Sequence, residues 1–193
     1  MPSVHRLPKY DIRTVRKLTY DELVTVRASV EEAAAIPRHP LALVVHDIRS
    51  LYNVGSLFRT SDAFAVAKVV LCGFTPAPPR PEIAKTALGA DATVPFVWFA
   101  TITEALEHLR SEGYHLWAAE ITTGSIGTEA LTIENFPLAL ILGNELTGVP
   151  NDVLDQCEGS LEIPMFGTKH SLNVAVAAGI LLSSIVDRYR KLV

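Results

Sequence analysis

The stretch "IPMFGTKHSLNVAVAAGILL", Ile163 to Leu182, decides how the chain is read. It opens like a strand that ends in a turn and closes like a buried helix. Between the halves sits a polar cluster, Thr168, Lys169, His170, Ser171 and Asn173, where the helix should begin. The first turn of a helix leaves N–H groups without internal partners. Ser171 or His170 is therefore expected to cap the helix, with Asn173 inside the first turn offering a donor and an acceptor. Such a mouth over an apolar floor suits a polar ligand, although a plain cap would look the same. The apolar-rich run Leu172 to Val186 holds Asn173, Ser183 and Ser184 and is too short to span a bilayer, so it reads as a core helix.

Outward from this stretch, two kinds of segment alternate. "LALVVHDI" (Leu41–Ile48), "KVVLCG" (Lys68–Gly73), "VPFVWFA" (Val94–Ala100), "YHLWAAEI" (Tyr114–Ile121), "PLALILG" (Pro137–Gly143) and "SLEIPM" (Ser160–Met165) read as strands. Near-continuous apolar runs of this kind mark strands buried on both faces. "SLFRTSDAFAV", "EIAKTAL", "TITEALEHLRSEG", "NDVLDQC" and residues 171–191 read as helices between and after them. Four prolines from Pro76 to Pro81 make "FTPAPPRP" a loop. The alternation predicts an α/β domain around a mostly parallel sheet with helices on both faces. Ahead of it, "TYDELVTVRASVEEAA" predicts a helix opened by a Thr19–Glu22 capping box and ended by "AIPRHP". The expected organisation is a basic arm and helix over 1–40, packed on a single domain over 41–193.

The 193 residues, 49% hydrophobic, suffice for a sizeable core and argue against whole-chain disorder. No basic-then-apolar leader opens the chain. Cys72 and Cys157 lack zinc or redox spacing and read as small buried hydrophobes in a reducing cytoplasm. The six histidines are dispersed, so no metal site is expected. Net charge is −4, yet Arg6, Lys9, Arg13, Arg16 and Lys17 crowd the N-terminus. That cluster reads either as an arm for nucleic acid or as a solvated tail.

Ligands of open α/β sheets sit beyond the carboxyl ends of the strands. Three loops stand out there. After the first strand, "NVGSLFRTSDAF" carries Asn53 as a possible cap, Gly55 for close backbone approach, and Arg59, which could hold a phosphate or carboxylate. After the fifth, "LGNELTGVP" brackets Asn144 and Glu145 between Gly143 and Gly148; Glu145 could lock the loop through its N–H groups or meet a substrate. The third is the opening stretch. No GxxxxGK[ST], GxGxxG or G-x-S-x-G frame occurs, so a P-loop, an ordinary dinucleotide site and a hydrolase elbow are unsupported.

Together the three loops resemble the motifs of the SpoU family of RNA 2′-O-ribose methyltransferases, part of the SPOUT group. Asn53, Gly55 and Arg59 match the first motif; "LILGNELTGVP", with Gly143, Glu145 and Gly148, matches the second; "IPMFGTKHSLNVAVAA", with Ile163, Pro164, Met165, Ser171, Leu172, Asn173 and Val174, matches the third. The likeness covers about residues 41–190. It implies a parallel sheet with a C-terminal deep trefoil knot, S-adenosylmethionine as cofactor, a homodimer, and tRNA or rRNA as substrate. No metal or membrane is implied.

By that resemblance Arg59, Asn53, Glu145, Ser171 and Asn173 are the catalytic set. Ile121, Leu142, Gly143, Ile163, Met165, Ser171 and Leu172 would hold the cofactor. RNA would meet Arg13, Arg16, Lys17, Arg59 and Lys169, with the Arg80–Lys85 region as a substitute for the arm. The reaction would be attack of a ribose 2′-hydroxyl on the sulfonium methyl group. Arginine stays protonated in almost any protein setting, so Arg59 is expected to clamp and stabilise developing charge while water carries the proton. Two other readings stand beside this one: base methylation, which the Ser-Leu-Asn third motif disfavours, and a non-catalytic RNA-binding protein of the same fold.

Overall fold

The computed structural model describes residues 16–25, 30–33 and 35–193. The longest apolar runs become the centre of the sheet. β1 (His39–His46) and β5 (Leu138–Leu142) lie side by side, and Leu41 to Val45 and all of β5 are buried. β2 (Val66–Cys72) and then β3 (Phe96–Phe99) extend the sheet beyond β1. β4 (His115–Ala119) and then β6 (Gly159–Leu161) extend it beyond β5. The order is β3-β2-β1-β5-β4-β6, and every strand pair is parallel. The connection therefore reverses direction between β1 and β5, which leaves a crevice at their carboxyl ends.

Helices cover both faces, as the alternation predicts. α3 (Leu51–Ala63), α4 (Pro81–Ala87) and α8 (Val174–Leu192) pack one face, where Leu43, Val45, Phe58, Ile83, Leu182 and Ile185 share a buried cluster. α6 (Ile102–Ser111) and α7 (Asn151–Leu154) pack the other, over Val44, Leu106, Leu109, Ile141 and Val153. A short α5 (Ala90–Thr93), which apolar periodicity did not predict, joins α4 to β3. Among the described residues no helix is long and apolar enough to cross a membrane.

Several strand ends shift by one or two residues from expectation, and three boundaries differ for a local reason. β6 ends at Leu161 instead of running to Met165, and Pro164 has no N–H to donate to a ladder. α3 starts at Leu51, because Ser50 is its cap and accepts from the Asn53 amide at 3.3 Å. α8 starts at Val174, not at Ser171: Asn173 is the cap, its Oδ1 accepting from the Ala175 amide at 3.0 Å.

Contacts divide the chain into two units, with the division between Ile36 and Pro37. In the first, the expected Thr19–Glu22 capping box forms at the start of α1 (Tyr20–Thr25), and α2 (Val30–Ala33) follows. Arg16 grips the Glu22 carboxylate through both terminal nitrogens, at 2.9 and 2.6 Å. That guanidinium, with the Thr19 backbone donor, holds the Glu22 carboxyl down at about 2.

Candidate functional site

The ends of β4, β5 and β6 and the α8 mouth line a cavity of about 780 Å³ at the carboxyl edge of the sheet. All seven residues expected to hold the cofactor line it: Ile121, Leu142, Gly143, Ile163, Met165, Ser171 and Leu172. Its size is that of a small-molecule site. Leu161, Ile163, Ala177 and Leu181 supply apolar wall. Its ionisable lining residues are Glu120, Glu145, Glu162 and His170, with no lysine or arginine among the lining side chains. A cavity lined by carboxylates repels a phosphate-bearing nucleotide and suits an adenosine carrying positive charge.

The 143–149 loop is folded tightly back on itself. Asn144 and Gly148 exchange backbone hydrogen bonds, at 3.1 and 2.8 Å. A Cβ at Gly143 would overlap the Gly148 carbonyl and the Val149 nitrogen, so only glycine permits this closure. Gly148 has φ +67 and turns its bare side toward the Glu120 carboxylate. Glu120 accepts from the Val149 amide through Oε2 and from the Ile121 amide through Oε1, both at 3.0 Å. The loop is thus locked by Glu120 from the end of β4, a residue the motifs did not flag. The signal available in the sequence is an acid at the end of a buried strand, the same feature that marks Glu145.

Glu145 does something else. Its Oε1 accepts from Asn53 Nδ2 at 3.1 Å, and Asn53 Oδ1 accepts from Asn173 Nδ2 at 3.2 Å. One residue from each of the three loops therefore meets in a single hydrogen-bonded cluster, although 120 positions separate Asn53 from Asn173. Asn53 orients both partners from the first turn of α3 and caps nothing. Asn144 adds a second tie across the crevice, its Nδ2 donating to the Asp47 carbonyl at 2.9 Å.

Gly55 has a different task from the one expected. A Cβ there would strike Thr86 and the Ile83 carbonyl, so Gly55 lets α3 and α4 approach and does not line the cavity. Arg59 does not line the cavity. It lies six residues beyond Asn53, about 9 Å further along the helix axis and on another face. There it borders a groove between α3 and α8 with Val176, Gly179 and Ile180. Among the described residues it has no hydrogen-bonded or ionic partner. Lys169 and Ser171 are exposed on the loop before α8, and Lys17 is exposed in the first unit. Arg16 is engaged by Glu22, and Arg13 lies outside the described residues.

The cysteines carry no chemistry. Burial, with Asp47 adding to it, pushes the Cys72 thiol up to about 12, and burial pushes Cys157 up to about 11. Cys157 is half-buried, less enclosed than its apolar neighbours suggested. Among the described residues no three His, Cys, Asp or Glu side chains are grouped to hold a metal ion.

Sheet order, cavity and cluster define a parallel α/β domain with a small-molecule site closed by three loops at the carboxyl edge. Residues 40–183 match the SpoU rRNA Methylase family, and the chain belongs to that family. It is 34% identical over 146 residues to the 23S rRNA (guanosine-2′-O-)-methyltransferase RlmB of Neisseria meningitidis, covering 75% of this chain and 57% of that one. A putative TrmH family tRNA/rRNA methyltransferase of Bacillus subtilis, YacO, is 28% identical over 187 residues, 93% of this chain and 69% of that one. The chain thus spans less than two thirds of the length of the RlmB relative. Among solved structures, the SpoU methyltransferase AviRb from Streptomyces viridochromogenes, in complex with AdoMet, superposes with a TM-score of 0.73 at 22% identity. That match covers 83% of this chain and 64% of AviRb.

Proposed function

We propose that this protein is an S-adenosylmethionine-dependent methyltransferase acting on a ribose 2′-hydroxyl in rRNA or tRNA. The observation that carries the proposal is the Asn53–Glu145–Asn173 cluster at the rim of a cavity whose only charged side chains are carboxylates. S-adenosylmethionine, when bound, supplies an activated methyl group on a cationic sulfur. Leu142, Ile163, Met165 and Leu172 would enclose its adenosine, while Gly143 and Ile121 offer backbone polar groups and Glu120 keeps their loop closed.

The chain's remaining work is orientation and proton handling. Fixing two reactants in line can lower a barrier by about 7–11 kcal/mol. Asn53 and Asn173 would align the ribose, with Ser171 beside them on the exposed loop. Glu145 is the cluster's ionisable member, and its Oε2, which Asn53 leaves free, would take the hydroxyl proton directly or through a water. Arg59 would clamp the neighbouring phosphate and stabilise developing negative charge.

The same proposal includes a homodimer, the knotted threading of the C-terminal segment and a cytoplasmic location. For the dimer, Val176 and Ile180 are 52% and 41% exposed one turn apart on α8, and exposed apolar faces mark interfaces. Arg59 borders that face, so a two-fold contact there would place it at the interface. The basic arm with Arg13, Arg16 and Lys17, together with Lys169, would add phosphate contacts, Arg16 only by leaving Glu22.

Two measurements test the reading. Calorimetry should find one S-adenosylmethionine site per chain without RNA, and labelled cofactor should transfer its methyl group to rRNA or tRNA. Cofactor binding with no transfer to either RNA would leave the non-catalytic alternative standing. No binding at all would remove the assignment.

A further inference from the structure

The cavity explains where a cofactor sits but not what holds a polyanion beside three carboxylates. A second concavity, of about 530 Å³, lies at the same edge of the sheet on its β1-β2-β3 half. Its lining includes Arg49, Phe74, Arg80 and Trp98. Phe74 is 76% exposed and Trp98 48% exposed, large apolar surfaces for solvent to bear. Arg49 and Arg80 are exposed, and among the described residues neither has an acidic partner.

The presentation of Phe74 is fixed by buried hydrogen bonds. Thr75, only 2% exposed, donates from Oγ1 to the Val45 carbonyl at 2.9 Å and accepts from the Ile48 amide at 3.1 Å. The Phe74 amide donates to Asp47 Oδ1 at 2.8 Å. Gly73, at φ +64, turns its bare side against that same carboxylate. The loop is therefore anchored on both sides of Phe74, while the ring itself points away from the core. The anchor also reaches the cavity: the Asp47 carbonyl is the one that accepts from Asn144.

We propose that Arg49, Phe74, Arg80 and Trp98 form a landing platform for unpaired nucleotides of the RNA substrate, next to the ribose held at the cluster. Flat aromatic rings accept any unpaired base by stacking, and guanidinium groups pair with phosphates. A duplex hides its base faces, so the platform selects single-stranded or loop segments. The positive charge lies beside the acidic cavity and draws the strand's phosphates to this half of the crevice, away from Glu120, Glu145 and Glu162. The proposal rests on the RNA-methyltransferase reading for its biological substrate, but its binding chemistry can be tested without catalysis.

The sequence contains two tryptophans, of which Trp117 is buried, so quenching by an added ligand reports on Trp98. Titration with a short oligoadenylate should quench its emission, and an RNA duplex of equal length should not. Phe74→Ala and Trp98→Ala should each weaken oligoadenylate binding about 5- to 150-fold, measured by anisotropy. The exposed pair Arg49→Ala with Arg80→Ala, which leaves the rings in place, should reduce the salt slope of binding by about 1.4. Unaltered single-strand affinity in the aromatic variants would overturn the platform, even if methyl transfer proceeds normally. So would a switch from dimer to monomer in sedimentation with RNA affinity intact, because the rings would then be a protein contact. If instead oligoadenylate binds as described and no RNA is ever methylated, the enzymatic reading fails and the platform survives.

Discussion

Gly143→Ala is the sharpest test of the closed cofactor loop. The added methyl would overlap the Gly148 carbonyl and the Val149 nitrogen. All of these are backbone atoms held by the Asn144–Gly148 bonds and by Glu120, so no side chain can swing aside. Overpacking of a constrained site costs about 1–3 kcal/mol. If the loop opens to relieve the clash, closing it again must come from binding energy, and S-adenosylmethionine affinity falls about 5- to 150-fold. If the loop stays closed, the strain appears in the fold, at about 2–4 °C of Tm for each kcal/mol in a domain of this size. Calorimetric titration and thermal unfolding of the same variant separate the two. Gly167→Ala, in the loop before α8 with open space around its Cβ position, serves as the control and should change neither. A Gly143→Ala protein with unaltered affinity and unaltered Tm would refute the tight loop and the cavity built on it.

Arg59→Ala should abolish methyl transfer yet leave S-adenosylmethionine affinity within about two-fold, since Arg59 lies outside the cavity and one such step is only about 0.4 kcal/mol; near-normal turnover would exclude it from the reaction. Asn173→Ala removes both the α8 cap and a bond to Asn53; loss of the cap should cost about 0.5–2 kcal/mol, seen as a lower Tm, together with a drop in kcat. Burial, and then the Arg190 charge, lower the pKa of His39. The folded state therefore binds fewer protons there than the unfolded chain, and stability should fall as pH drops below 6.5 toward the depressed value. His39→Asn should flatten that part of the pH–Tm curve.

The sheet was legible because its central strands are apolar on both faces, as in Leu41–Val45 and Leu138–Leu142. Edge and end effects were less so: Pro164 cuts β6 short, and α8 waits for Asn173 although Ser171 is an equally good cap by type. The three loops were recognisable as motifs, and their convergence on Asn53, Glu145 and Asn173 follows from that reading. What each residue does there depends on neighbours distant in sequence. Gly55 serves helix packing because α4 passes it, and Glu120 locks a loop that begins more than twenty residues later. Phe74 lies in a proline-rich loop that carries no periodic signal, so only its hydrogen-bonded anchors reveal how it is displayed.

The proposed enzyme delivers its methyl group to a ribose hydroxyl. The direct measurement is to methylate rRNA and tRNA with labelled S-adenosylmethionine, digest the RNA to nucleosides, and find which atom carries the label. Label should appear in 2′-O-methylated nucleosides, at a site resistant to alkali and lost with Arg59→Ala. Label on a nucleobase, with the ribose unmodified, would contradict it.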